Sequence, residues 1–103
     1  MPNVAVLAKI TAQSGKRDEV VAALSPMLDA VKDEPGTLVY AMHTDNADAD
    51  TIWFYEVYDS QESLAAHSGS AAMKEAGGRL AGLVGGRPEL FMLTPVGGKG
   101  MGA

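Results

Sequence analysis

The sequence predicts an α+β fold of the ferredoxin-like βαββαβ type, built on a four-stranded antiparallel sheet, and three observations lead there. Apolar, β-branched runs recur at 4–11, 37–44, 51–58 and 89–94. Segments with helical spacing of apolar residues follow the first and third of these runs. Only a short polar stretch, DNADAD at 45–50, separates the second run from the third, which marks a hairpin. Right-handed crossovers then put both helical segments on one face of the sheet.

The elements follow in order. The first strand is apolar on both faces: Val4, Val6, Ala8 and Ile10 alternate with Ala5, Leu7 and Lys9. Ser14-Gly15 breaks it, and Asp18-Glu19 favour a helix start through the macrodipole. Val20, Leu24, Met27, Leu28 and Val31 keep helical spacing, which predicts a helix over 16–33. Pro26 lies inside it and predicts a bend near 22–26, because its ring clashes with the preceding turn. Glu34-Pro35-Gly36 ends the helix.

The second strand is TLVYAMHT, 37–44, and the third is 51–58. Asp59-Ser60-Gln61-Glu62 resembles a capping box, so a helix starts there and runs to about His67. After an interruption at Ser68-Gly69, helical spacing resumes beyond Ser70 and extends over 71–84, weakened by Gly77-Gly78. Gly85-Gly86-Arg87-Pro88 is a turn and 89–94 the fourth strand. The whole reads as a single domain over 1–94, followed by a flexible glycine-rich tail at 95–103.

Helices on one face only would leave the other face to alternate with polar residues. Here Ala5, Leu7, Val39, Ala41, Trp53, Tyr55 and Val57 make that face apolar as well. A second copy of the chain is the simplest cover, which predicts a symmetric homodimer through the open sheet face.

Composition narrows the function. A net charge of −5 with scattered lysines and arginines argues against nucleic acid, whose phosphates demand a basic face. No apolar run approaches the roughly 20 residues of a membrane span. The N-terminal MPNVAVLAKI has no basic region before an apolar stretch, which predicts a cytoplasmic protein. With no cysteine, disulfides and thiolate metal sites are excluded. Asp45, Asp48 and Asp50 lack the glycine and terminal glutamate of a calcium-binding hand. His43 and His67 are too few for a zinc site, and GGKG near the end lacks the strand, helix and Ser/Thr of a phosphate loop.

That leaves a carboxylate, Glu56, in the most apolar strand, and His67 on the helix after it. Alternation puts Phe54, Glu56 and Tyr58 on one face and Trp53, Tyr55 and Val57 on the other. Leu64 and His67 share one side of the helix, so His67 can reach the space between helix and sheet near Glu56 or Tyr58. The competing arrangement leaves Glu56 solvated near the strand's end and His67 at the helix C-terminus. Spacing by itself favours the second.

Taken together, Ser14-Gly15-Lys16, Glu34-Pro35-Gly36 followed by Tyr40, and Phe54-x-Glu56-x-Tyr58-x-Ser60 leading to Leu64-x-x-His67 form an ordered set. Over about residues 4–94 the chain resembles the antibiotic biosynthesis monooxygenase (ABM) domain family, small dimeric α+β barrels that include quinol monooxygenases. The resemblance implies a pocket in each subunit between helices and sheet. It also implies oxygenation of a small electron-rich aromatic or quinol with no flavin, haem or metal. His67 would be the general base, Glu56 would orient it, and Tyr40, Phe54, Tyr58 and Met73 would line the pocket. Haem-degrading relatives carry an Asn and a His where this chain has Ala8 and about Gly77, so haem degradation is disfavoured. Quinol-type relatives often carry a second histidine where Ala71-Ala72 stand here. Another branch isomerises a phosphorylated sugar, to which Arg87 could lend a charge. The alternative to an oxygenase is therefore a non-oxygenase of the same fold, an isomerase or a small-molecule-binding protein.

Overall fold

The computed structural model describes residues 3–100. Its elements run β1 (Val4–Thr11), α1 (Arg17–Ala30), β2 (Thr37–Thr44), β3 (Thr51–Tyr58), α2 (Gln61–Ser68), α3 (Ala71–Arg79) and β4 (Glu89–Leu93). The four strands form one antiparallel sheet in the order β2-β3-β1-β4, the expected ferredoxin-like α+β arrangement. Residues 95–100 carry no helix or strand, and the remainder of the predicted tail, 101–103, lies outside the described residues.

Cross-strand register divides the sheet cleanly, because directly opposed residues share a face. Tyr40, Glu56, Val6 and Met92 form one row across the strands; Met42, Phe54, Ala8 and Leu90 form the next. These rows face the helices, where Ile10, Val20, Leu24, Met27, Ile52 and Phe54 make the core. The opposite face carries Val39, Val57, Ala5 and Leu93, then Ala41, Tyr55, Leu7 and Phe91, then His43, Trp53, Lys9 and Glu89. Lys9 lies over the Trp53 ring and pairs with Glu89, so the apolar rows end on a polar rail.

One irregularity matters for the site. Thr37 pairs with Tyr58 and Val39 with Val57, so Leu38 is an extra residue, a bulge in β2. A one-residue insertion reverses the phase of alternation. Thr37 and Tyr40, three apart, therefore both face the helices.

Two boundaries differ from the sequence expectation. The first helix continues unbroken through Pro26 to Ala30 and ends in a 3-10 turn at Val31–Asp33. Next to the proline, the Ser25 hydroxyl donates to the Val21 carbonyl at 2.7 Å. The last helix stops at Arg79, not at Val84. Gly77-Gly78 weaken its end, and Gly82 then takes a positive φ of 78° that helix cannot continue through. The freed segment bridges back to the sheet at Ala12–Val84. Ser60 and Ser70 cap α2 and α3, accepting from the backbone N–H of Ser63 and Met73.

The polar turn at 45–50 is held from both sides. The Asp45 carboxylate accepts from the backbone N–H of Ala47 and Asp48 and from Trp53 Nε1 at 2.8 Å. The Arg17 guanidinium donates to the Asp45 carbonyl at 2.9 Å and the Asp48 carbonyl at 3.0 Å, pinning the hairpin to the start of α1.

The turn before β2 is equally constrained. Asp59 N–H donates to the Gly36 carbonyl at 3.0 Å, and a methyl group at Gly36 would run into Ser63 Oγ and Cβ. Glycine is the residue that lets this turn lie against the first turn of α2. Gly36→Ala should therefore destabilise the protein by about 1–3 kcal/mol, the usual cost of overpacking. Urea midpoints at constant slope measure it.

Candidate active site

Between the helices and the inner face of the sheet lies a cavity of about 500 Å³. Its floor is Val6, Ala8, Phe54 and Glu56, and its roof includes Leu64, His67, Met73 and Ala76. Small residues make the room: Ala8 below and Ala76-Gly77 above leave a volume that larger side chains would fill. Leu90 and Met92 also line it yet stay 62% and 54% exposed, so the cavity opens beside β4, the edge strand.

Polar groups are few, and the two ionisable ones that are buried, Glu56 and His67, each have a partner. Glu56 is only 8% exposed, and its Oε1 accepts from the Tyr58 hydroxyl at 2.5 Å. Burial pushes the Glu56 carboxyl above its usual range, while the Tyr58 hydrogen bond and the nearby His67 act in the opposite direction. Both tyrosine hydroxyls, Tyr40 and Tyr58, are pushed up chiefly by burial, with the carboxylates Glu56 and Glu34 adding to the effect. They stay protonated across the physiological range and act as neutral donors.

His67 is 3% exposed and packs against the rings of Tyr40 and Tyr58 at centroid distances of 5.1 and 5.4 Å. Its Nδ1 lies 2.9 Å from Glu34 Oε1. The same carboxylate oxygen accepts from Thr37 Oγ1 at 2.7 Å. A carboxylate only accepts, so Nδ1 is the donor in this contact, and in a neutral ring the lone pair would then lie on Nε2.

The structure thus brings Tyr40, Phe54, Glu56, His67 and Met73 onto one cavity. The solvated Glu56 and helix-capping His67 favoured by spacing are not what forms: both side chains are buried. Tyr58, expected in the lining, instead sits fully buried behind Glu56 and reaches the site through it. The hydrogen-bond partner of His67 is Glu34, not Glu56. Glu34 was legible in the sequence only as a helix terminator; the acid directly before Pro35-Gly36 was the available signal. No lysine or arginine is among the lining residues, and Arg87 beside Pro88 is not part of the wall. Among the described residues no cluster of three His, Cys, Asp or Glu side chains could hold a metal ion. No helix among them is long and apolar enough to cross a membrane.

The family model for antibiotic biosynthesis monooxygenase matches residues 3–79. Among solved structures, a candidate antibiotic biosynthesis monooxygenase from Caulobacter crescentus is 27% identical, with a TM-score of 0.87 over 93% of this chain and 92% of that one. A second such candidate, from Chloroflexus aurantiacus, is 31% identical, with a TM-score of 0.81 over 97% and 99%. A Mycobacterium tuberculosis protein at 24% identity shares the fold, with a TM-score of 0.83 over 94% and 98%. No protein of curated function matches the chain.

Glu56 gives the site a pH signature. A carboxyl raised in the folded state binds its proton more tightly there than in the unfolded chain. Its contribution to stability is therefore greatest at low pH. It declines as pH rises from the ordinary value of 4.5 through the raised folded one. Asp45 and Asp48, held low mainly by backbone N–H groups, give the opposite slope in a more acidic window. Glu56→Gln should flatten the stability–pH curve above the ordinary value of 4.5 and gain stability relative to wild type as pH rises through the raised folded value. Denaturation midpoints across that range measure it; a difference that shrinks with rising pH contradicts the assignment.

Proposed function

The chain belongs to the antibiotic biosynthesis monooxygenase family, and we propose that it is a cofactor-independent monooxygenase acting on a small electron-rich aromatic, a quinol or phenol, with O₂. The observation that carries this reading is the apolar cavity in which a buried histidine, a buried carboxyl and a tyrosine are the principal polar groups. Such a site can strip a proton from a phenol and hold the resulting anion away from bulk water.

The chemistry balances without another reductant. His67 Nε2 takes a proton from the quinol hydroxyl, giving an electron-rich anion. That anion passes one electron to O₂, and the resulting radical pair recombines with a new C–O bond at the ring carbon next to the oxyanion. The imidazolium returns its proton to the peroxide. Loss of the ring C–H proton and cleavage of the O–O bond then release water and leave a carbonyl. A hydroquinone plus O₂ becomes a hydroxyquinone plus water: four electrons leave the ring, one oxygen atom enters it, and the other becomes water. Glu56 and Tyr40 face the same space as hydrogen-bonding groups, and Phe54 and Met73 supply apolar contact. Tyr58 supports Glu56 from behind. A phosphorylated ligand has no lysine or arginine in the cavity wall to meet it.

The domain of this reading spans 1–94, and it acts as a homodimer paired through the open sheet face. Phe91 and Leu93 are 45% and 46% exposed there, beside Leu7 and Ala5 of β1, with Tyr55 and Val57 and then Ala41 and Val39 continuing the rows across β3 and β2. Leaving such a contiguous apolar surface in water is unfavourable, and a second copy covers it.

In an oxygen electrode, the protein should consume O₂ with reduced quinones, and His67→Ala should lower that rate by about 10²–10⁴-fold. An unchanged rate removes His67 from the chemistry, and no uptake with any quinol or phenol sinks the oxygenase reading. Light scattering should show a dimer at micromolar concentration, shifted towards monomer by Leu7→Glu; a wild-type monomer refutes the pairing.

A further inference from the structure

We propose that Glu34 is the positioning residue of the site, acting through His67 rather than on the substrate. The inference rests on the reading of His67 as the base, but its geometry stands by itself. Glu34 is absent from the cavity wall, and its only route to a bound molecule is the 2.9 Å contact with Nδ1. That contact leaves Nε2 as the one ring atom able to accept a proton. It also places a negative charge where the imidazolium would form, away from the substrate side.

Three local features make the placement rigid. The Glu34-Pro35-Gly36 turn lies against the start of α2, because Gly36 lacks the side chain that Ser63 would exclude. The bulge at Leu38 turns Thr37 to the helix face, where its hydroxyl donates to the same Glu34 oxygen that faces His67. The rings of Tyr40 and Tyr58 both pack against the imidazole and limit its rotation. The titratable groups facing His67 are thus Glu34, Glu56, Tyr40 and Tyr58. Of these, Glu34 makes the direct hydrogen bond to the ring. Glu56 is occupied with Tyr58 and lies on the substrate side, free to serve a different purpose.

The test separates tautomer from activity. The chain has two histidines, so His43→Asn leaves His67 as the sole ring reporting in ¹⁵N-labelled protein. Long-range ¹⁵N–¹H correlation spectra of the neutral imidazole should show Nδ1 protonated and Nε2 bare. Glu34→Ala should mix the two tautomers. Glu34→Gln keeps the shape and an acceptor oxygen pinned by Thr37, so it should retain the Nδ1–H tautomer while losing the charge. In oxygen uptake, Glu34→Gln should lower kcat by about 10–100-fold with KM within about twofold, the pattern of a group that acts on the transition state and not on binding. An Nε2–H tautomer in wild type, or a tautomer that Glu34→Ala leaves untouched, overturns the proposal. A kcat that Glu34→Gln leaves unchanged in an active enzyme also overturns it. If the tautomer responds as expected while no quinol or phenol drives oxygen uptake, the positioning holds and the oxygenase reading falls.

Discussion

Burying an imidazole and a carboxylate against an apolar sheet is unfavourable unless each has its own hydrogen-bonding partner, and that constraint organises this molecule. Glu56 meets it through Tyr58, two residues along the same strand. His67 meets it through Glu34, whose carboxylate is held in turn by Thr37, the cross-strand neighbour of Tyr58. The two pairs are separate, so neither acid must serve both groups. One carboxyl is thereby left on the cavity, raised by burial and available to a ligand, while the other remains behind the histidine.

The cavity exists because the surrounding elements are held apart by something other than its own contents. α1 packs on the sheet through Val20, Leu24 and Met27, a filled core that sets the spacing between layers. Towards the cavity the facing residues of that core become small: Ala8 on β1, Ala76 and the adjoining Gly77 on α3. The Arg79 side chain ties the end of α3 to the Ala23 carbonyl of α1 at 2.8 Å, so the two helices cannot close over the gap independently. A layer spacing fixed at one end and small side chains at the other leave an apolar space with a mouth at β4.

The sheet has a second consequence. Its central strands are apolar on both sides, whereas the helices cover only one. β4 shows the tension most directly: all five of its residues are exposed, although four of them are large and apolar. Site and open face therefore meet at the same edge strand, with Leu90 and Met92 turned to the cavity and Phe91 and Leu93 to the other side.

Much of this was written locally. Alternation with period two and helical spacing are properties of neighbouring residues, so the sequence by itself determined the order of elements, the two faces of β3 and the ferredoxin-like topology. It also carried the family resemblance and brought Glu56 and His67 forward as candidates. Tertiary structure alone decided whether those side chains were solvated or buried, and who their partners were. Glu34 lies 33 residues from His67, and the contact depends on a turn packing against α2 and a bulge that reverses the phase of β2. Neither leaves a periodic trace in the sequence, because a bulge is an exception to alternation and a packed turn is a relation between distant segments. The exchange of Glu56 for Glu34 as the partner of His67 has that cause: strand alternation gives the side on which a residue lies, while the three-dimensional path of the chain gives the atom it meets.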